Sequence, residues 1–179
     1  LAGYPQTEPG AGTHFNAMAA PAVAQADGRW KLSGDKVWIG NAQWSSVLTV
    51  VAHDVDASGR RRGLTAFAVH TDQPGVVLGR ELPSMGMRGV VQGEVSFRDV
   101  VVDRDHVVGA PKRGLEVGVD SMSWSRFAIA STCVGTLRRT VQLLQRFGAR
   151  REIATGRVVD HPVRRIWLGL ASVRVAVWE

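Results

Sequence analysis

Gly28-Arg29-Trp30-Lys31-Leu32-Ser33-Gly34-Asp35-Lys36-Val37-Trp38-Ile39 decides the fold class of this chain. Apolar and polar residues alternate through Trp30, Lys31 and Leu32, Ser33-Gly34-Asp35 carries turn chemistry, and a second run begins at Lys36. The stretch reads as a β-hairpin. Outward from it, Ser46–Ala52, Leu64–His70, Gly75–Leu82, Gly93–Phe97 and Val100–Val102 read as further strands, several of them rich in the Val and Ile that a half-buried pleated surface favours. Strands recurring every ~10–15 residues with Gly, Pro and Asp turns between them predict an antiparallel barrel or sandwich over residues 1–110.

Near Gly109-Ala110-Pro111 the apolar period changes from two to about 3.6. Leu115, Val119 and Met122, and then Phe127, Ala130, Val134, Leu137, Val141 and Leu144, lie three or four apart within each run, and Arg138, Arg139, Gln142 and Gln145 take the other face. A second helix begins near Asp160 and Pro162 and carries Val163, Ile166, Trp167, Leu170, Val173 and Val177. The expected class is therefore α+β. An antiparallel β domain over 1–110 is followed over 111–179 by the long antiparallel helices that begin an incomplete bundle. Two such helices alone leave apolar faces uncovered, so partners are expected beyond Glu179 or in another subunit. The chain opens on Leu1 and stops at Ala176-Val177-Trp178-Glu179 in mid-pattern, which reads as a fragment of a longer protein.

Composition narrows the function classes. The 179 residues fit one domain or one domain and part of another, and 45% hydrophobic content allows a true core. The net charge of +6 is nearly all arginine, since Lys31, Lys36 and Lys112 are the lysines. The arginines are scattered without interleaved aromatic platforms, which argues against nucleic acid; Arg60-Arg61-Arg62 reads as a solvated hairpin tip. No uncharged apolar run approaches the ~20 residues of a membrane helix. The single cysteine, Cys133, excludes an internal disulfide and fits a reducing compartment such as the cytoplasm. It lies among Ile129, Val134 and Leu137 at helical spacing and reads as buried filler rather than a catalytic thiol. No metal-ligand spacing is apparent.

Thr7-Glu8-Pro9-Gly10-Ala11-Gly12-Thr13, taken alone, is a surface turn. It is not a dinucleotide fingerprint, because no strand precedes it, no helix follows and the third glycine is missing. It does have the means to hold a ligand: glycines let backbone N–H groups approach a planar ring or a phosphate, and threonine hydroxyls add directional hydrogen bonds. Trp38 alone would be a core aromatic on a strand.

Taken in order, this turn, then Lys36-Val37-Trp38-Ile39-Gly40-Asn41, Met85-Gly86-Met87-Arg88-Gly89 and Phe97-Arg98-Asp99-Val100 resemble the flavin-binding middle domain of acyl-CoA dehydrogenases, with the start of their C-terminal helical domain after it. The resemblance covers essentially the whole chain. It implies FAD as cofactor and an acyl-CoA-type thioester as substrate. It further implies an electron-transfer flavoprotein or similar acceptor, and a homodimer or homotetramer in the full-length protein. Tyr4, Gln6, Thr7, Gly12 and Thr13 match the segment lining the flavin. Trp38 matches the residue that packs on the isoalloxazine ring, with Ile39 and Gly40 beside it. Thr13, Ser123 and Arg126 match positions near the thioester's pantetheine arm and nucleotide end. Arg151 and His161, ten residues apart, match an Arg and a His that reach the flavin of a neighbouring subunit.

The departures matter as much as the matches. Gly40 stands where the family carries the Thr or Ser whose hydroxyl bonds flavin N5; its backbone N–H can still donate. His14 replaces an Asp, and Ile153 and Ala154 replace aromatic and Thr residues. The chemistry implied is removal of the proton α to the thioester with hydride transfer from the β carbon to flavin N5. Most members take their catalytic Glu from later in the helical domain. A minority carry it at the position of Ser125, whose hydroxyl is far too weak a base. The chain thus holds no recognisable catalytic base, and Glu8 belongs to the turn. The same fold also serves acyl-CoA oxidases and flavin monooxygenases, and a truncated, non-catalytic paralogue is a third reading.

Overall fold

The structure is a computed structural model that describes residues 1–178, so Glu179, the end of the expected 111–179 domain, lies outside the described residues. Eight strands form one sheet. They are β1 (Ala2–Gly3), β2 (Pro21–Ala24), β3 (Trp30–Gly40), β4 (Val47–Val55), β5 (Arg61–His70), β6 (Val76–Leu82), β7 (Gln92–Val102) and β8 (Val107–Val108). Their order is β6-β7-β3-β2-β4-β5-β8, with β1 added on β4. Pairing is antiparallel except that β1 and β2 run parallel to β4. Leu32 and Ile39 of β3, Val50 of β4, Phe67 of β5 and Phe97 of β7 share one core, while Val51 of β4 with Leu64 and Ala66 of β5 form a second core on the other face of those strands. Trp30 closes the first, tilted on Phe67 at 5.6 Å between ring centres.

The hairpin expected at Ser33-Gly34-Asp35 is corrected by the structure. β3 runs straight through it, because residues on both sides pair with the same neighbour: Leu32 with Val100, Asp35 with Ser96 of β7. The turn residues become a register shift in which Gly34 takes φ 132°, and a Cβ there would come within 2.8 Å of Ala20 Cβ. The true hairpin joins β2 to β3 through a loop with Gly28 at φ 83°. Gly93–Phe97 and Val100–Val102 are likewise one strand, β7, bent at Asp99 (φ 51°), whose carboxylate accepts from Ser33 Oγ at 3.0 Å. The β4–β5 hairpin carries Arg60-Arg61-Arg62, but only in part as a solvated tip: Arg62 donates at 2.6 Å to Asp54, which is buried.

The strand-to-helix switch falls between β8 and α1 (Gly114–Arg150). The chain divides into two compact units at Asp120, inside α1 and past the composition change at Gly109. The first turns of α1 belong with the sheet because Gly114 packs on the β5 backbone and Gly118 on Tyr4. In the second unit α1 is followed by the two-residue strands β9 (Glu152–Ile153) and β10 (Gly156–Arg157), antiparallel to each other, and then by α2 (Pro162–Trp178). Gln145 Nε2 of α1 donates to Ser172 Oγ of α2 at 3.3 Å. Phe127, Ile129, Ile166 and Trp167 are all exposed. Cys133 is exposed as well, which corrects its reading as buried filler. The apolar face it belongs to finds no cover among the described residues. No helix among those residues is long and apolar enough to cross a membrane.

Candidate functional site

The turn at 7–13 is built from two reciprocal backbone bonds. Glu8 N–H donates to Ala11 O at 3.0 Å and Ala11 N–H to Glu8 O at 3.1 Å, leaving Pro9 and Gly10 at the tip. The Glu8 side chain turns inward and is almost wholly buried. Its carboxylate accepts from Ala19 N (2.6 Å), Ala20 N (3.1 Å) and Lys36 Nζ (2.8 Å). Lys36, fully buried on β3, also donates to Gln6 O (3.1 Å) and Val51 O (2.7 Å). All three ammonium donors therefore have oxygen partners, the condition under which a buried charge is tolerated. Glu8 thus has a structural role, tying the turn to β3. Lys36 was named in the sequence only as part of a motif; the detectable signal was a lysine inside a strand that also needed a carboxylate partner.

Burial opposes ionisation of Glu8, but the bonds from Lys36, Ala19 and Ala20 outweigh it and its pKa lies below the usual 4.5. Burial likewise lowers the Lys36 pKa, with Glu8 pulling the other way. The folded chain holds the Glu8 carboxylate ionised more firmly than the unfolded chain does. Its contribution is therefore full above about 4.5 and lost as pH falls through the depressed folded value. The stability difference between the parent and Glu8→Gln should accordingly shrink in acid. Urea midpoints measured from pH 7 down to 3 check this, and a pH-independent difference would refute the linkage.

A further backbone bond, Val37 N–H to Thr7 O at 2.9 Å, sets Thr7 beside the next strand residue, Trp38. Trp38 is not a core aromatic. Its register with β7 is interrupted between Lys36 and Ile39, its φ is 60°, and 57% of its surface is exposed. A bulky residue held in the left-handed region and facing solvent is an outlier of the kind that accompanies binding sites. Ile39 points the other way, into the core at 1% exposure, so only its main chain can meet a ligand. Gly40 pairs across the sheet with Gln92.

Tyr4 packs against Ala11, Met18, Val51, Leu64 and Ala66. Its hydroxyl is buried without a partner among the described residues, and burial raises its pKa. A Cβ on Gly118 would stand 3.1 Å from that hydroxyl and 3.6 Å from Gln6 Oε1, so Tyr4 and Gln6 meet the first turns of α1. Gly10 and Gly12 face open space, where an added Cβ would meet nothing within 4 Å, and Thr13 and His14 are exposed. Together these residues fit a flat ligand with polar edges. The ligand would find an exposed indole, glycines open to close approach, and an orphaned hydroxyl.

The second unit carries the remaining expected residues. Ser123 and Arg126 lie exposed on α1. Arg151 and His161 come together in a pocket of about 540 Å³, lined also by Phe147, Arg164, Trp167 and Leu168. The His161 carbonyl accepts from Arg165 N–H at 3.0 Å, as a helix-start residue does. Its imidazole does not cap the helix, because Nδ1 is buried without a partner among the described residues. Arg164 was missed in the sequence; its place on the first turn of α2 was the available signal.

The family pattern described as acyl-CoA dehydrogenase, middle domain, matches residues 3–100. The mitochondrial short-chain specific acyl-CoA dehydrogenase of Homo sapiens is 29% identical over an aligned 179 residues, which cover 97% of this chain and 43% of that protein. The chain therefore spans less than half the length of this relative. Among solved structures, butyryl-CoA dehydrogenase from Megasphaera elsdenii shares the fold with a TM-score of 0.89 at 22% identity, over 99% of this chain and 46% of that one. A glutaryl-CoA dehydrogenase from Mycobacterium smegmatis, solved in complex with FADH2, matches with a TM-score of 0.85 at 23% identity, over 99% and 44%. The chain belongs to the acyl-CoA dehydrogenase family, and residues 3–100, which hold the buried Glu8–Lys36 tie, match that family's middle domain.

Proposed function

We propose that this chain supplies the FAD cradle of an oxidoreductase that acts on the CH–CH group of an acyl thioester. The observation that carries the reading is the double tie, Lys36 to Glu8 and Val37 to Thr7, which brings the glycine-rich turn against an exposed Trp38. When bound, the flavin supplies the hydride acceptor. Trp38 offers one face to its ring. Thr7 and the N–H groups of the turn donate to its polar edge, and Gly12 and Thr13 admit its phosphates. Tyr4 and Gln6 close the inner side, while Ile39 and Gly40 contribute main chain. Thr13, Ser123 and Arg126 hold the thioester, the arginine taking a phosphate of its nucleotide end. Arg151 and His161 serve the flavin of a second subunit in a homodimer or homotetramer, and an electron-transfer flavoprotein or similar acceptor reoxidises the cofactor. Ser125 stands where a minority of the family carry the catalytic carboxylate, and its hydroxyl is far too weak a base to take the α proton. Gly40, which lacks the hydroxyl expected near the flavin, favours as second reading an oxidase or monooxygenase on the same fold. Rapid oxygen consumption by the reduced protein would select it.

In the flavin-loaded full-length protein, Trp38→Ala should weaken FAD binding at least several-fold, since an aromatic pair contributes about 1 kcal/mol beyond area burial. Its effect on the stability of the flavin-free protein should be small, because the indole is already exposed. Titration of apoprotein with FAD, followed by absorbance, gives the answer. Unchanged affinity would remove Trp38 from the site, and a colourless protein that takes up no FAD would favour the non-catalytic reading.

A further inference from the structure

Gly40 leaves a gap that the sheet fills from the neighbouring strand. An ideal Cβ on Gly40 would stand 3.9 Å from Gln92 Nε2 and within 4 Å of no other atom beyond its chain neighbours. The two residues are direct cross-strand partners on β3 and β7, so their side-chain positions share one face of the sheet. Gln92 is half-buried, and its side-chain amide makes no hydrogen bond among the described residues. Its amide remains open to water, so a ligand seated on this face of the sheet would meet a donor and an acceptor not engaged by the protein. The backbone alongside is the one that holds Trp38 out at φ 60°.

We propose that Gln92 is a positioning residue for the flavin, its carboxamide standing in from β7 for the hydroxyl that Gly40 does not carry. This rests on the flavin reading above. The amide bears both a donor and an acceptor, so it can donate to a ring nitrogen that lacks a proton and accept from the same nitrogen once protonated. A hydroxyl on a short side chain at position 40 would do the same from the opposite strand. Position 40 carries no hydroxyl, and its partner across the ladder carries a carboxamide of longer reach.

The test uses the flavin-loaded full-length protein with Gln92→Leu and the isosteric, acceptor-only Gln92→Glu. Both should keep FAD, held by the turn and Trp38, but show a shifted visible absorption envelope and an altered midpoint potential of the bound flavin. Reduction by substrate should slow about tenfold, the effect of one lost hydrogen bond. Adding Gly40→Thr to Gln92→Leu should restore spectrum, potential and rate; adding Gly40→Ala should not, although its Cβ fits at ordinary contact distance. If both Gln92 variants match the parent in spectrum and potential, the assignment is wrong while the flavin reading stands. Equal rescue by Gly40→Ala would also overturn it, since space rather than the hydroxyl would then be what matters. A parent protein that binds no FAD overturns both.

Discussion

Lys36→Met should destabilise the protein by about 3–5 kcal/mol, the usual cost of breaking a buried ion pair from one side. The substitution leaves the Glu8 carboxylate charged, almost wholly buried and served only by Ala19 N and Ala20 N. It also strips a donor from Gln6 O and Val51 O. The two oxygens lie on separate segments, so the turn and β4 both lose their hold on β3. The double variant Glu8→Gln/Lys36→Met should recover part of the loss, because it removes the stranded charge. Urea unfolding by circular dichroism, with FAD titration alongside, measures both consequences. Loss of the tie should also loosen the turn that carries Thr7 and Gly12. A single-variant loss below about 1 kcal/mol, the scale of an exposed pair, would mean the ion pair does not hold the turn.

Gly114→Ala should cost about 3 kcal/mol, against the sign that local preference suggests. Alanine is favoured over glycine within a helix by about 1 kcal/mol. Here a Cβ would lie 2.7 Å from Thr65 C, 2.8 Å from Ala66 N and 3.0 Å from Leu64 C, all backbone atoms of β5. That strand cannot yield, since it is paired with β4 on one side and with β8 on the other. Overpacking against fixed backbone typically costs 1–3 kcal/mol and occasionally more. The whole approach of α1 to the sheet would shift. Thermal or urea unfolding checks the sign, and a neutral or stabilising result would mean that α1 does not seat on β5 as described.

The class of the fold and the place of its switch were legible because hydrophobic period is a local property. The change from period two to about 3.6 needs only neighbouring residues to be read, and the helices begin at Gly114 and Pro162 near where it is heard. Strand pairing is not local. Ser33-Gly34-Asp35 has the chemistry of a turn, yet β7 lies along both sides of it and absorbs it as an irregularity. Cys133 has the spacing of a core residue, but spacing says which face is apolar and not whether anything covers it.

The sequence by itself determined which chemical groups stand at the candidate site. The Thr7–Thr13 turn, Trp38, the missing hydroxyl at Gly40 and the missing carboxylate at Ser125 are facts of composition and order. Only the tertiary structure decided how those groups are held. Nothing in the spacing of Glu8 and Lys36 says that a fully buried ammonium joins turn to strand, and nothing in Gln92 says that its amide faces the gap at Gly40. Ion pairs and cross-strand neighbours depend on register, and register is set by the collective burial of side chains across the sheet rather than by any segment of the chain.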